Sequence, residues 1–97
     1  MKNERIREFE AENQRRIAQY IENLNKKYAV YHQAIEDTRR LLVKKYAAQP
    51  LKLKALKHRL EQSSINFKRR QDKKIALFKK RRKAALMAFI KSRKGYE

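Results

Sequence analysis

Helix breakers are almost absent from this chain: its 97 residues include one proline, Pro50, and one glycine, Gly95. Pro50 stands near the midpoint and Gly95 beside the C-terminus. Ala, Leu, Lys, Arg, Glu and Gln dominate the remainder, and all of them enter a helix at little cost. Such a chain is suited to two long helices with one break. High charge also marks disordered chains, yet 41% of the residues are apolar. Ordered helix with fraying at both ends is the expectation.

Apolar spacing supports this. From Ile17 a seam runs through Ile17, Ile21, Leu24, Tyr28, Tyr31, Ile35, Thr38 and Leu42. Steps of four and three alternate, which keeps one stripe on one helical face. Ile6 and Phe9 extend the seam upstream across a polar gap at Asn13 and Gln14. Asn3 suits an N-cap, its side chain accepting from a free backbone N–H. Glu4, Glu8, Glu10 and Glu12 bring negative charge toward the positive end of the helix dipole. Pro50 lacks a backbone donor and disfavours helical geometry at Gln49, yet suits the first position of a following helix. The second seam reads Leu53, Leu56, Leu60, Ser64, Phe67, Gln71, Ile75, Phe78, Arg82, Ala85 and Phe89. Gly95 is placed for a left-handed C-cap, with Lys91, Arg93 and Lys94 near the negative dipole end.

Folding the chain back at residues 49 and 50 pairs positions whose numbers sum to about 99. Leu42 then faces Leu56, Thr38 faces Leu60, Ile35 faces Ser64, Tyr31 faces Phe67, Leu24 faces Ile75, Ile21 faces Phe78, and Phe9 faces Phe89. The predicted fold is therefore all-α, an antiparallel helical hairpin of two long coiled-coil-like helices in a single domain, 1–97. Its first helix covers about 3–48, the turn 49–50 and the second helix about 51–94. Ser63-Ser64-Ile65-Asn66 is the weak stretch, because small polar residues compete for backbone hydrogen bonds. A kink there, or a split with Ser63 or Ser64 capping a third segment, stands beside an uninterrupted arm.

Two helices bury little, and Tyr28, Tyr31, Thr38, Ser64 and Gln71 make this seam polar. Tyr20, Ala34 and Leu41 add an apolar flank to the first helix, and Leu77 and Met87 lie off the second seam. Tyr20, Leu41, Leu77 and Met87 are thus the candidate protein-interface residues. A homo-oligomer such as a four-helix bundle, or docking in a larger assembly, is the expected remedy.

Charge is uneven. The formal net charge is +18; residues 1–49 hold 11 cations and 7 anions, residues 50–97 hold 17 and 3. Between Lys68 and Lys94 only Asp72 is acidic. A merely solvated helix face mixes signs so that Glu and Lys pair at i,i+4. One-signed charge on this scale repels itself and calls for an anionic partner. Nucleic acid, DNA or RNA, is the partner expected. Its contact residues are Lys68, Arg69, Arg70, Lys73, Lys74, Lys79, Lys80, Arg81, Lys83, Lys91, Arg93 and Lys94. Lys73, Lys80 and Lys91 point most directly away from the seam. Arg70, Lys74 and Arg81 line one flank, and Lys68, Lys79 and Lys83 line the other. Charge wrapped around half a helix suits phosphates better than base edges. Arg82 falls on the seam opposite Ile17, where its stem is expected along apolar surface with the guanidinium reaching outward. Tyr20, Phe89 and Tyr96 are candidates for stacking on single strands, set against core placement for Phe89 and a loose tail for Tyr96.

Other chemistries find no support. Without Cys there are neither disulfides nor thiolate metal sites, which fits a reducing compartment. His32 has Glu36 four residues on, and His58 lies far away, whereas zinc needs three or four ligands. One glycine cannot build a phosphate-cradling loop, and Ser63 and Ser64 have no nearby base. A non-enzymatic protein without cofactor or metal is expected. No apolar run approaches the ~18 residues that span a bilayer, and Met1-Lys2-Asn3-Glu4-Arg5 has no secretory character. The expected setting is soluble and intracellular: cytoplasm, nucleoid or, in a eukaryote, nucleus. Ile75–Phe78, five cations and Ala84–Ile90 also form a basic amphipathic segment of the kind found on membranes or in calmodulin-type grooves. Absence of Trp and the matching seam on the first helix argue against both. The basic blocks also resemble a bipartite nuclear-localisation signal, a pattern common in basic helices.

Two functions remain. The first is sequence-independent binding of nucleic acid phosphates by the second helix. The alternative is an adaptor or inhibitor that docks this basic helix on an acidic protein surface, anchored by Leu77, Met87 and Tyr20.

Overall fold

Pro50 shapes the chain one full turn before its own position. In a helix, a proline ring collides with the carbonyl four residues back, here that of Tyr46. The structure, a computed structural model, describes residues 2–94 and the side chains of residues 4–93. In it α1 spans Lys2–Lys45 and α2 spans Pro50–Lys94. The first helix thus ends at Lys45 rather than near 48. Tyr46 N still donates to Leu42 O at 2.9 Å, but Tyr46 O receives Gln49 N, three residues on, at 2.9 Å. Gln49 O then accepts Leu53 N at 3.0 Å, so Gln49 caps α2 and Pro50 is its first residue. Among the described residues none takes a positive φ, so the break uses no left-handed residue. Tyr46 is half-buried, with Lys45 Nζ 5.5 Å and Lys52 Nζ 4.9 Å from its ring.

Two helices and, among the described residues, no strand make the protein all-α, consistent with the expected hairpin. The helix start at Lys2 puts Asn3 inside α1 rather than at its cap. The Asn3 side chain and the cap expected at Gly95 lie outside the described residues. α2 runs unbroken through Ser63–Asn66. The Ser63 hydroxyl shares a hydrogen bond with Tyr31 Oη at 2.5 Å, and so is drawn away from its own backbone.

Packing groups into two units, each built from both helices: Met1–Asn23 with Lys73–Glu97, and Leu24–Asp72. In the first, Phe9 stacks on Phe89 with centroids 4.5 Å apart, and Tyr20 on Phe78 at 4.1 Å. In the second, Tyr31 stacks on Phe67 at 4.1 Å and Tyr28 lies 6.1 Å from the same ring. The seam of α2 from Leu53 to Phe89 is half-buried or buried at every expected position. α1 departs from expectation twice here. Tyr20, not Ile21, takes the stack on Phe78. Thr38 is exposed, its hydroxyl donating to Ala34 O at 2.9 Å, while Arg39 is half-buried.

The core is thin. Only Leu24 (6% exposed) and Ile35 (8%) are buried apolar residues among those described, beside Asn13 (3%) and Gln71 (4%). No helix among the described residues is long and apolar enough to cross a membrane.

Candidate nucleic-acid interface

The ring stacks on Phe78 and Phe89 fix which face of α2 turns inward in the first unit. Seam residues Ile75, Phe78, Arg82, Ala85 and Phe89 are half-buried. Of the positions between them all but Leu86 are left to solvent, and the cations fall among these. Lys73, Lys74, Lys79, Lys80, Arg81, Lys83 and Lys91 are all exposed. No acidic residue interrupts the sequence from Lys73 to Lys94. Lys73, Lys80 and Lys91 follow one another at seven and eleven residues, about 10 and 16 Å along the axis at 1.5 Å per residue. Arg93 is half-buried, its guanidinium 5.2 Å from the Phe89 ring. The Lys94 side chain and Tyr96 lie outside the described residues.

In the second unit Lys68, Arg69 and Arg70 are likewise exposed. Lys68 is partly committed, with Nζ 3.6 Å from Asp72 Oδ1 and 5.3 Å from the Tyr28 ring. On α1, acidic groups engage their own helix. Glu12 pairs with Arg15 at 3.1 Å and Arg16 at 3.3 Å, and Glu36 with Arg39 at 3.5 Å.

Asn13 and Arg82 correct the sequence reading. Asn13 is no gap but the most deeply buried of the core residues named above. Its Nδ2 donates to Arg82 O at 3.0 Å, and Arg82 Nε donates to Asn13 Oδ1. The Arg82 guanidinium lies 5.9 Å from the Phe9 ring. Arg82 therefore binds across the seam instead of only reaching past it. Spacing held the missing signal, since Asn13 lies four residues from both Phe9 and Ile17.

The aromatic candidates for base stacking are engaged inside the unit: Tyr20 covers Phe78 and Phe89 covers Phe9. Tyr20, expected as an interface residue, is half-buried by that contact, whereas Leu41, Leu77 and Met87 are exposed. His32 stacks near Tyr28 at 5.9 Å and shares a cleft with Glu36 and Glu61. Among the described residues no group of His, Asp and Glu is arranged to hold a metal.

Comparison with known proteins gives no match: no protein-family model, no curated protein and no solved structure aligns with this chain.

Proposed function

We propose that this chain is a non-enzymatic nucleic-acid-binding protein that holds phosphate backbones through the outer surface of α2. One observation carries the reading: from Lys73 onward every charged residue at an exposed position of α2 is a cation, and none is acidic. A helix fixes those charges at constant spacing, so they repel one another without relief from reorientation. Polyanion binding offsets that repulsion and releases condensed counterions. The cations surround the outer half of the helix, which favours contacts with backbone over base edges. Tyr20 and Phe89 stay in their intramolecular stacks, so affinity rests on charge with little contribution from stacking.

Gel shifts with generic DNA and RNA over a salt series test the proposal. Neutralising about six to eight phosphates gives a log–log salt slope near −5 to −7. Changing Lys79, Lys80, Arg81 and Lys83 to Gln should make that slope less negative by roughly 3–4. No complex at low salt, or a complex indifferent to these four changes, would remove the reading.

A second reading has its own observation. Leu77 and Met87 are exposed large apolar residues among the cations of α2, where phosphate contact gives them no role. An acidic protein surface would use them as anchors. Leu77→Ser with Met87→Ser separates the two: nucleic-acid affinity stays unchanged under the first reading.

A further inference from the structure

α1 carries a second stripe that α2 does not cover. Val30, Ala34, Thr38 and Leu41 follow at steps of four, four and three, which keeps them on one helical face. Val30 is 73% exposed and Leu41 67%. The Thr38 hydroxyl is occupied by Ala34 O, so it asks for no outside partner. Beside this stripe, within the second unit, lies an open groove of about 600 Å³ lined by Lys26, Lys27, Val30, Tyr31, Ala34 and Phe67. Its floor is apolar and formed by both helices.

Charge around the groove is mainly positive. Lys27 lies on its α1 side. On the α2 side, Ser63 hydrogen-bonds the groove residue Tyr31. Arg59 and Arg70, four residues before and seven after Ser63, share that helical face and are exposed. Of the acidic residues of this unit, Glu36 pairs with Arg39, Asp72 pairs with Lys68 and Glu61 lines a different cleft. Asp37, which accepts from Gln33, is the carboxylate on this face of α1.

We propose that this groove docks an amphipathic acidic helix of a partner protein. Its apolar stripe would lie on Val30, Ala34, Leu41 and Phe67, with its carboxylates toward Lys27, Arg59 and Arg70. An exposed apolar stripe beside a groove accepts the apolar face of another helix, and a mainly cationic rim selects acidic flanks. A second copy fits less well, because a two-fold contact would set Lys27, Arg59 and Arg70 against their own equivalents. This site lies in the second unit, shares only Arg70 with the phosphate contacts named above, and does not depend on the cations from Lys73 onward.

Fluorescence anisotropy with two synthetic three-heptad peptides tests it. Both have the same Leu and Glu content; one holds Leu at a and d positions, the other is shuffled to lose the stripe. The striped peptide should bind about tenfold tighter or more, since it buries apolar side chains that the shuffled peptide leaves in water. That difference should vanish in Val30→Gln/Leu41→Gln and in Ala34→Gln, all at exposed positions where Gln preserves helix. It should persist in the Lys79, Lys80, Arg81 and Lys83 to Gln variant. Equal affinity for both peptides would mean charge attraction only and would overturn the proposal. So would sedimentation equilibrium showing a two-chain mass that Val30→Gln/Leu41→Gln returns to one chain, because a second copy would then be the occupant.

Discussion

Asn13 and Arg82 bind each other in both directions across the seam of the first unit, amide to backbone carbonyl and guanidinium to amide oxygen. A buried amide in a seam stabilises less than a leucine, but it fixes which residues can face each other. Asn13→Ala leaves the Arg82 Nε–H without its acceptor and should cost about 1–3 kcal/mol in urea unfolding. Asn13→Leu with Arg82→Leu should regain or exceed wild-type stability while losing uniqueness of register. Broadened amide resonances or mixed masses in that double variant are the expected sign. A double variant as unstable as Asn13→Ala would show that the pair contributes stability and not register.

Gln71 makes the opposite case. Its Nε2 donates to Leu24 O at 2.9 Å, yet its Oε1 is buried and accepts no hydrogen bond among the described residues. Leu24 O also belongs to the α1 backbone ladder, so losing the amide leaves it satisfied. Gln71→Met keeps the length, removes the unpaired oxygen and should raise stability by about 1 kcal/mol. A thermal midpoint several degrees higher is expected for a domain of this size. A lower midpoint would show that the amide oxygen has a partner such as water.

How much of this was legible beforehand depended on what each position asks of its residue. The α2 seam could be read from spacing alone, because Leu53, Phe67, Ile75 and Phe89 have no comfortable place outside it. The exposed cations were legible for the same reason in reverse. α1 was harder, since a thin two-helix seam accepts whatever can be satisfied there. Asn13 qualifies by bonding Arg82, and Tyr20 joins the half-buried Ile21 there because its ring stacks flat on Phe78. Thr38 leaves the seam because its hydroxyl is content on its own helix. Pro50 restricts Gln49 next to it, but its ring also acts on the Tyr46 carbonyl, so α1 ends at Lys45 and not near 48. Arg82 and Tyr20 changed roles through tertiary contacts that no local pattern encodes.

Tyr31 and Ser63 separate hydrogen bonding from helix propensity. Tyr31→Phe frees the Ser63 hydroxyl to compete for its own backbone in mid-helix, and should cost about 0.5–1 kcal/mol. Ser63→Ala also removes the bond but replaces a poor helix former by the best one, a gain of about 0.5 kcal/mol. The exposed Tyr31 hydroxyl can then turn to water. Ser63→Ala should therefore lie within about 0.5 kcal/mol of wild type, and Tyr31→Phe clearly below it. Equal losses in the two variants would mean that the bond itself dominates.

Pro50 offers the most consequential single change. Ala47, Ala48, Gln49, Leu51 and Lys52 are all helix formers, and no described residue at the break has a positive φ. Among these residues the proline ring is the one covalent feature that opposes helical geometry in the Tyr46–Gln49 segment. Pro50→Ala removes that clash and restores a donor, a swing of about 3 kcal/mol toward continuous helix. A chain that runs straight through cannot fold its second seam onto its first. Each seam then has to be covered by another copy, as in a swapped antiparallel dimer. Two chains of formal charge +18 each repel, so salt should promote this dimer, whereas it weakens the proposed nucleic-acid complex. Sedimentation equilibrium of Pro50→Ala should thus show a two-chain mass that grows with protein concentration and with ionic strength. A mass of one chain with unchanged helicity, over the same range, would mean that the aromatic stacks hold the hairpin closed without the proline.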